Sequence, residues 1–238
     1  MSSQTVTEMF DGISSNYDFL NHLLSFGIDR SWRRRTSKLI TERHPSTILD
    51  VATGTADLAI RMAKDNPSAL LTGVDLSEKM LEIGRSKIAK KRLSHRITLE
   101  KGDALGLPFP DNSFDAVTVA FGVRNFADRE GGLREMTRVC RAGGVVAVLE
   151  FSHPSSPWIA IPYRWYSKTM LPWLSRLVSK HPTAYRYLPS SVTTFPESEA
   201  FVAMMRVTGI DQIMIHPLSG GIATLYQGTV VKNGIQTQ

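Results

Sequence analysis

Between Ser46 and Glu150 the chain alternates short apolar runs with helical patterns, and this alternation restricts the fold more than any other feature. The runs are Thr47–Ala52, Leu70–Asp75, Arg96–Lys101, Phe114–Ala120 and Gly144–Glu150. Between them, Thr55–Lys64, Ser77–Lys90 and Glu130–Arg141 carry apolar residues at helical spacing. Ser77 reads as a capping residue, and Asp65-Asn66-Pro67 as a stop. Strands joined through helices pair in parallel, with the helices covering both faces. The expectation is an α/β fold with a doubly wound, mostly parallel, Rossmann-like sheet, taking ligands beyond the carboxyl ends of its strands.

The first strand–helix junction is Asp50-Val51-Ala52-Thr53-Gly54-Thr55-Ala56-Asp57. Small residues alternate at Ala52, Gly54 and Ala56, so a ligand can lie against the backbone of the turn, facing the free N–H groups of the helix. An ordinary tight turn has the same outline, so the ligand must be argued from other residues. Asp75 closes the second strand, where a carboxylate can accept from both hydroxyls of a ribose. A dinucleotide and an adenosine-containing cofactor both satisfy that. Three details separate them. The turn is not G-x-G-x-x-G, because only Gly54 is a glycine, whereas a pyrophosphate needs glycines for close approach. S-adenosylmethionine (SAM) carries no phosphate and relaxes that demand. At Lys101-Gly102-Asp103-Ala104, Asp103 can accept from an adenine amino group and the Ala104 N–H can donate to the ring, with Leu105, Leu107 and Phe109 as an apolar wall. Pro108 to Ser113 then form a turn cluster before the strand that opens at Phe114.

The flanks differ from this core. Residues 4–45 read as helices, the third running from Arg30 to about Arg43 with Asp29 as its cap and Trp32, Leu39 and Ile40 on one side. Its Arg30, Arg33, Arg34, Arg35 and Lys38 form either a solvated face or the basic outer surface of a lid. Residues 151–195 interrupt the alternation and read as an inserted cap, too long for a simple connection. In it Trp158, Tyr163, Trp165, Tyr166 and Trp173 are interleaved with Arg164, Lys168, Arg176 and Lys180, a pattern suited to a membrane interface or to a packed cap with its charges outside. A helix from Glu197 to Val207 and a strand pair, Asp211–Pro217 and Ala223–Val231, close the chain. One domain is expected, divided into an N-terminal helical lid (1–45), a cofactor-binding core (46–150), a cap (151–195) and a closing helix and strand pair (196–232).

Composition narrows the classes. A single cysteine, Cys140, in an apolar helical pattern excludes an internal disulfide and a cysteine-rich metal site, and suits a reducing cytoplasm. No run approaches the roughly 18 apolar residues of a membrane span, and the N-terminus lacks a basic region followed by an apolar one, so no signal peptide is expected. The net charge of +6, with Lys87, Lys90, Lys91, Arg92 and Arg96 clustered, raises nucleic acid as a rival partner. No nucleic-acid module flanks the core, and the cluster reads more simply as a solvated helix end.

The motifs together resemble class I SAM-dependent methyltransferases. Asp50 to Ala56 looks like the first motif, Val74-Asp75-Leu76-Ser77 the second, Gly102-Asp103-Ala104 the third, Phe114-Asp115-Ala116-Val117 the fourth strand and Arg141-Ala142-Gly143-Gly144 the turn after the next helix. Other stretches are similar to the ubiquinone/menaquinone biosynthesis C-methyltransferase family: Phe10-Asp11-Gly12-Ile13-Ser14-Ser15-Asn16-Tyr17-Asp18, Ser25-Phe26-Gly27, Trp32-Arg33, Ala120-Phe121-Gly122-Val123-Arg124-Asn125, Glu150-Phe151-Ser152 and Leu218-Ser219-Gly220-Gly221. The resemblance covers nearly the whole chain and implies seven strands, the last antiparallel. It implies SAM as cofactor, without a metal, held by Asp50, Gly54, Thr55, Asp75, Asp103 and Ala104. Ala120 stands where some members have serine. The implied substrate is a prenylated quinol methylated on a ring carbon, with demethylmenaquinol favoured over a ubiquinone precursor. Another small-molecule methyltransferase and a non-enzymatic scaffold of the same fold are the rivals.

A quinol carbon becomes nucleophilic when the neighbouring hydroxyl is ionised, so the site must align two substrates, stabilise a phenolate and accept a proton. The catalytic residues expected are Arg124 for the phenolate, Asn125 for a hydroxyl or water, and Tyr17 on the lid, a structural turn being the lesser alternative for Arg124 and Asn125. Tyr17, Asp57 and His153 are the candidates for the base, Asp57 being equally suited to cap a helix. The expected partners are the prenylated quinol, the inner membrane surface that holds it and a second copy of the chain in a homodimer, not nucleic acid.

Overall fold

The computed structural model describes residues 25, 27–152, 154, 158 and 195–232. Tyr17, His153 and the remainder of the expected lid and cap lie outside the described residues.

Seven strands form one sheet in the order β3-β2-β1-β4-β5-β7-β6. They are β1 (Thr47–Val51), β2 (Leu70–Asp75), β3 (Ile97–Lys101), β4 (Phe114–Ala120), β5 (Cys140–Phe151), β6 (Ile210–Leu218) and β7 (Ala223–Val230). From β3 to β5 all pairings are parallel. β7 runs antiparallel to both β5 and β6. Among the described residues, five helices cover the sheet: α1 (Asp29–Thr41), α2 (Asp57–Asp65), α3 (Glu78–Lys90), α4 (Arg129–Val139) and α5 (Ser198–Val207).

Alternation along the central strands explains the two faces. Ile48, Ala116, Ala147 and Leu149 point to the face packed by Ile40 of α1, Leu58 and Met62 of α2, and Leu81 and Ile88 of α3. Leu49, Val51, Val117, Val119, Val146 and Val148 point to the other, against Leu133 and Met136 of α4 and Phe201 and Met205 of α5. Strands buried on both faces read as continuous apolar runs, which is why they were visible as such. The crossovers reverse direction between β1 and β4, so the ends of these two strands flank a crevice.

Boundaries differ from the expected ones where local chemistry intervenes. Ser77 caps α3, its Oγ accepting from Met80 N. Asp29 does not cap α1; it lies in the first turn, buried, and accepts hydrogen bonds from Ser25 Oγ and Arg33 Nη1. Asp57 makes no cap for α2 either, its carboxylate being paired with Lys87 Nζ at 2.6 Å. Strand β5 starts at Cys140 rather than Gly144, because Cys140 pairs with Phe114 before the register shifts and resumes at Ala116–Val145. Cys140 is the buried small hydrophobe expected, and burial pushes its thiol up to about 12.

The amino end of the sheet is fastened by Asp115. Its Oδ2 accepts from the backbone N–H groups of Ser46 and Thr47, both at 2.9 Å, and Oδ1 pairs with Arg141. Partial burial raises the carboxyl's pKa, but the hydrogen bonds from Thr47 and Ser46 and the Arg141 charge together hold it below the usual range. A lowered folded pKa stabilises above the unfolded value of about 4, and that stability is lost as the pH falls through the folded value. Asp115→Ala is expected to cost about 1–3 kcal/mol at pH 7. In urea unfolding the variant and the parent should converge as the pH is taken down through 4.

Candidate active site

The β1–α2 junction is a backbone in tension. Ala52, Gly54 and Ala56 have φ of 50°, 56° and 64°, a left-handed residue at every second position. An alanine in that region costs roughly 1–2 kcal/mol, so the surrounding contacts must impose it. Three contacts do so. Thr53 N donates to Val74 O, and Gly54 N donates to Asp75 Oδ2 at 2.8 Å. Buried Asp50 accepts from Thr53 Oγ1 and Thr118 Oγ1, each at 2.7 Å, tying the turn to β4. Alternating left-handed residues turn backbone N–H groups toward one side, a concavity suited to a ligand's polar groups.

The opposite bank of the crevice is equally close. Phe121 follows β4 with φ 59°, and a Cβ on Gly122 would lie 2.7 Å from Ala52 Cβ and 2.9 Å from Val119 Cγ2. Only glycine lets the β4 end approach the junction so closely. The Phe121, Phe151 and Trp32 rings meet there, with centroids 4.6 to 6.1 Å apart. Trp32 Nε1 donates to Ser219 Oγ at 2.9 Å, so α1 is anchored to the loop between β6 and β7.

Each expected residue has a definite place. Asp75 is half-buried at the end of β2, its second oxygen accepting from Ser77 N at 2.9 Å. Asp103, also half-buried, folds its own loop by accepting from Leu105 N, and Ala104 is buried behind it. These two carboxylates stand at the ends of adjacent strands, Asp75 in β2 and Asp103 two residues past β3. Asp50 and Thr55 stand differently. Asp50 is 1% exposed and both its oxygens are engaged, so it shapes the turn rather than reaching a ligand. The Thr55 hydroxyl accepts from Lys87 Nζ at 2.8 Å, between α2 and α3.

Arg124, expected to stabilise a phenolate, is buried. It lies in a 3₁₀ turn, Val123–Asn125, with its side chain 1% exposed. Its Nη1 donates to Glu150 Oε1 at 2.6 Å and to Phe121 O, while Glu150 Oε2 accepts its backbone N–H. Glu150, at the end of β5, is fully buried. The pair locks the turn to β5 and leaves Asn125, half-buried, as the polar residue of that turn nearest solvent. Breaking one partner of such a pair strands the other charge, at about 3–5 kcal/mol.

Three further positions differ from the sequence reading. Arg33 is not part of the solvated face; it is 9% exposed, and its Cζ lies 5.4 Å from the Phe121 ring centroid. Spacing held the signal, since Arg33 shares a helical face with Asp29, Trp32, Ser37 and Ile40. Lys87 and Arg96 are likewise not free surface cations. Lys87 pairs with Asp57, and Arg96 donates to the carbonyls of Ala63, Asn66 and Pro67 at the end of α2. The basic cluster thereby loses two of its members as a nucleic-acid surface. Among the described residues no group of three His, Cys, Asp or Glu is placed to hold a metal ion.

A SAM-dependent methyltransferase from Thermotoga maritima shares the architecture, with a TM-score of 0.65 at 20% identity over 94% of this chain and 98% of its own. The fold is therefore that of SAM-dependent methyltransferases. The sequence pattern of the ubiE/COQ5 methyltransferase family matches residues 1–230, and the chain belongs to that family. The ubiquinone/menaquinone biosynthesis C-methyltransferase UbiE of Geotalea daltonii is 46% identical over 94% of this chain and 96% of its own length. The demethylmenaquinone methyltransferase of Deinococcus radiodurans is 46% identical over 94% and 92%. The protein is a SAM-dependent methyltransferase, as its motifs implied.

Burial lifts Asp50 to about 6, against hydrogen bonds from Thr118 and Thr53 and the charge of Arg33, which lower it. A carboxyl raised in the folded state contributes stability below its unfolded pKa, and the contribution is lost as the pH rises through the folded value. The parent is therefore expected to lose stability between pH 4 and 7 relative to Asp50→Asn. Urea midpoints at pH 5 and 8 measure this, and an equal change in both proteins would refute it.

Proposed function

We propose that the chain methylates a ring carbon of a prenylated quinol, with demethylmenaquinol as the substrate in menaquinone biosynthesis. The observation that carries the reading is the strained β1–α2 junction, with Asp75 and Asp103 at the neighbouring strand ends, in a chain of the ubiE/COQ5 family. The relatives named as demethylmenaquinone methyltransferases support this acceptor. A benzoquinol precursor of ubiquinone is the second reading, favoured by the relative named for both quinones.

The residues fit the donor. Asp75 at the end of β2 is assigned to the ribose hydroxyls, Asp103 and the Ala104 N–H to adenine, and the junction at Gly54 admits the donor at close range. When bound, SAM supplies an electrophilic methyl on a sulfonium, displaced in line. The chain's own part is positioning. The Arg124–Glu150 pair holds the turn, so Arg124 acts as a positioning residue, and Asn125 presents its amide to a quinol oxygen or to a water that carries its proton. The rings of Trp32, Phe121 and Phe151 keep that side of the crevice dry. Tyr17 from the lid is proposed to complete the site.

The acceptor's tail ties it to a membrane. Arg30, Arg34, Arg35 and Lys38 are exposed on α1, and we assign them to contact with anionic head groups. No helix among the described residues is long and apolar enough to cross a membrane.

Purified protein given labelled SAM and a short-chain demethylmenaquinol is expected to place the label on the ring carbon. Label entering RNA or DNA, with the quinol untouched, would overturn the assignment. Asp75→Ala is expected to weaken donor binding about 10- to 100-fold, read by calorimetry, while leaving the melting temperature within a few degrees.

A further inference from the structure

We infer that Arg33 is the partner of the donor's α-carboxylate, a cation delivered by α1 to the methionine end of the crevice. This rests on the SAM reading above and names a residue on which that reading is silent.

The strand order sets the direction of the ligand. Asp103 follows β3 and Asp75 ends β2, so adenine and ribose occupy that side of the crevice. Beyond the ribose, the amino-acid half extends across β1 toward β4, the next strand in the sheet. Arg33 stands at that end, packed on the Phe121 ring just past β4 and close enough to Asp50, in β1, for its charge to act on that carboxyl.

The guanidinium is held and incompletely used. Asp29 accepts from Nη1, and Ser25 Oγ donates to Asp29 Oδ1 at 2.8 Å, so the acid that orients Arg33 is itself oriented. The remaining edge, Nε and Nη2, donates to no described residue, although the side chain is only 11% exposed. A fork with one engaged corner and an open edge is built for a planar carboxylate.

Charge agrees with this assignment. Asp29, Asp50 and Arg33 together carry one net negative charge when both acids are ionised. The methionine half of the donor carries a carboxylate, an ammonium and a sulfonium, one net positive charge. Asp29 and Asp50 balance the two cations while the Arg33 fork takes the anion. Arg33 thereby sets which end of the amino acid points to α1, and so the direction in which the sulfonium methyl faces.

The test compares two ligands by calorimetry on the full chain: SAM, and decarboxylated SAM, which keeps the sulfonium and the ammonium but has no carboxylate. The parent is expected to prefer SAM by about 10- to 100-fold. Arg33→Met, which keeps the packing on Phe121, should remove that preference by weakening SAM alone. The affinity for decarboxylated SAM should stay equal or rise, since both acids remain. Arg33→Lys should keep a reduced preference, and it carries the test by itself if Arg33→Met does not fold. A preference undiminished in Arg33→Lys or Arg33→Met, or absent from the parent, overturns the assignment to Arg33. A parent that binds neither compound overturns the donor reading beneath it.

Discussion

Asp50 has both carboxylate oxygens engaged and no exposure to water. One holds Thr53, inside the strained junction, and the other holds Thr118, in the neighbouring strand β4. The second of these bonds joins β1 to β4, the strands between which the crossover direction reverses, and the first ties the junction to it. The left-handed conformations of Ala52 and Ala56 persist because the ends of the junction are held in this way. The cost is a carboxyl whose ionised form is disfavoured, in a molecule whose total stability is small. Such a group is retained where the geometry it imposes matters more than the stability it forgoes.

The same trade recurs on the other bank. Arg124 and Glu150 are both buried, and their pair adds little net stability compared with apolar residues of the same size. Their effect is positional: Glu150 of β5 grips the turn after β4 through two hydrogen bonds, so Asn125 is presented by a held segment. Arg33 and Asp29 repeat the arrangement from α1, except that one edge of the guanidinium stays open. Both arginines hold their own segment through a buried carboxylate, Arg124 through Glu150 and Arg33 through Asp29.

Much of this was legible from the residues alone. Strands β1, β2 and β4 are apolar runs because both their faces are covered, and the helices between them carry the 3.6-residue period of a buried stripe. Ser77 announced its helix because a hydroxyl at that place satisfies an orphan N–H. Asp75 could be placed at the end of β2 and Asp103 just past β3 because the apolar runs stop there. Asp29 and Asp57 misled for a common reason. Each sits where a cap belongs, but a cation from its own helix or from a neighbouring one, Arg33 or Lys87, competes for the carboxylate and wins. Periodicity describes which face of a helix is buried; it does not say that a buried charge has found a partner there.

The sequence by itself determined the class of fold, the order of its strands and helices, and the family, because these depend on patterns that are local along the chain. Only the tertiary structure decided which charges are spent on holding the site and which remain to meet a ligand. That choice depends on pairs far apart in sequence, Asp50 with Thr118, Arg124 with Glu150 and Trp32 with Ser219, that only folding brings within hydrogen-bond distance. In the low dielectric of the crevice a cation's role is set by its nearest carboxylate, and no spacing along the chain specifies that neighbour.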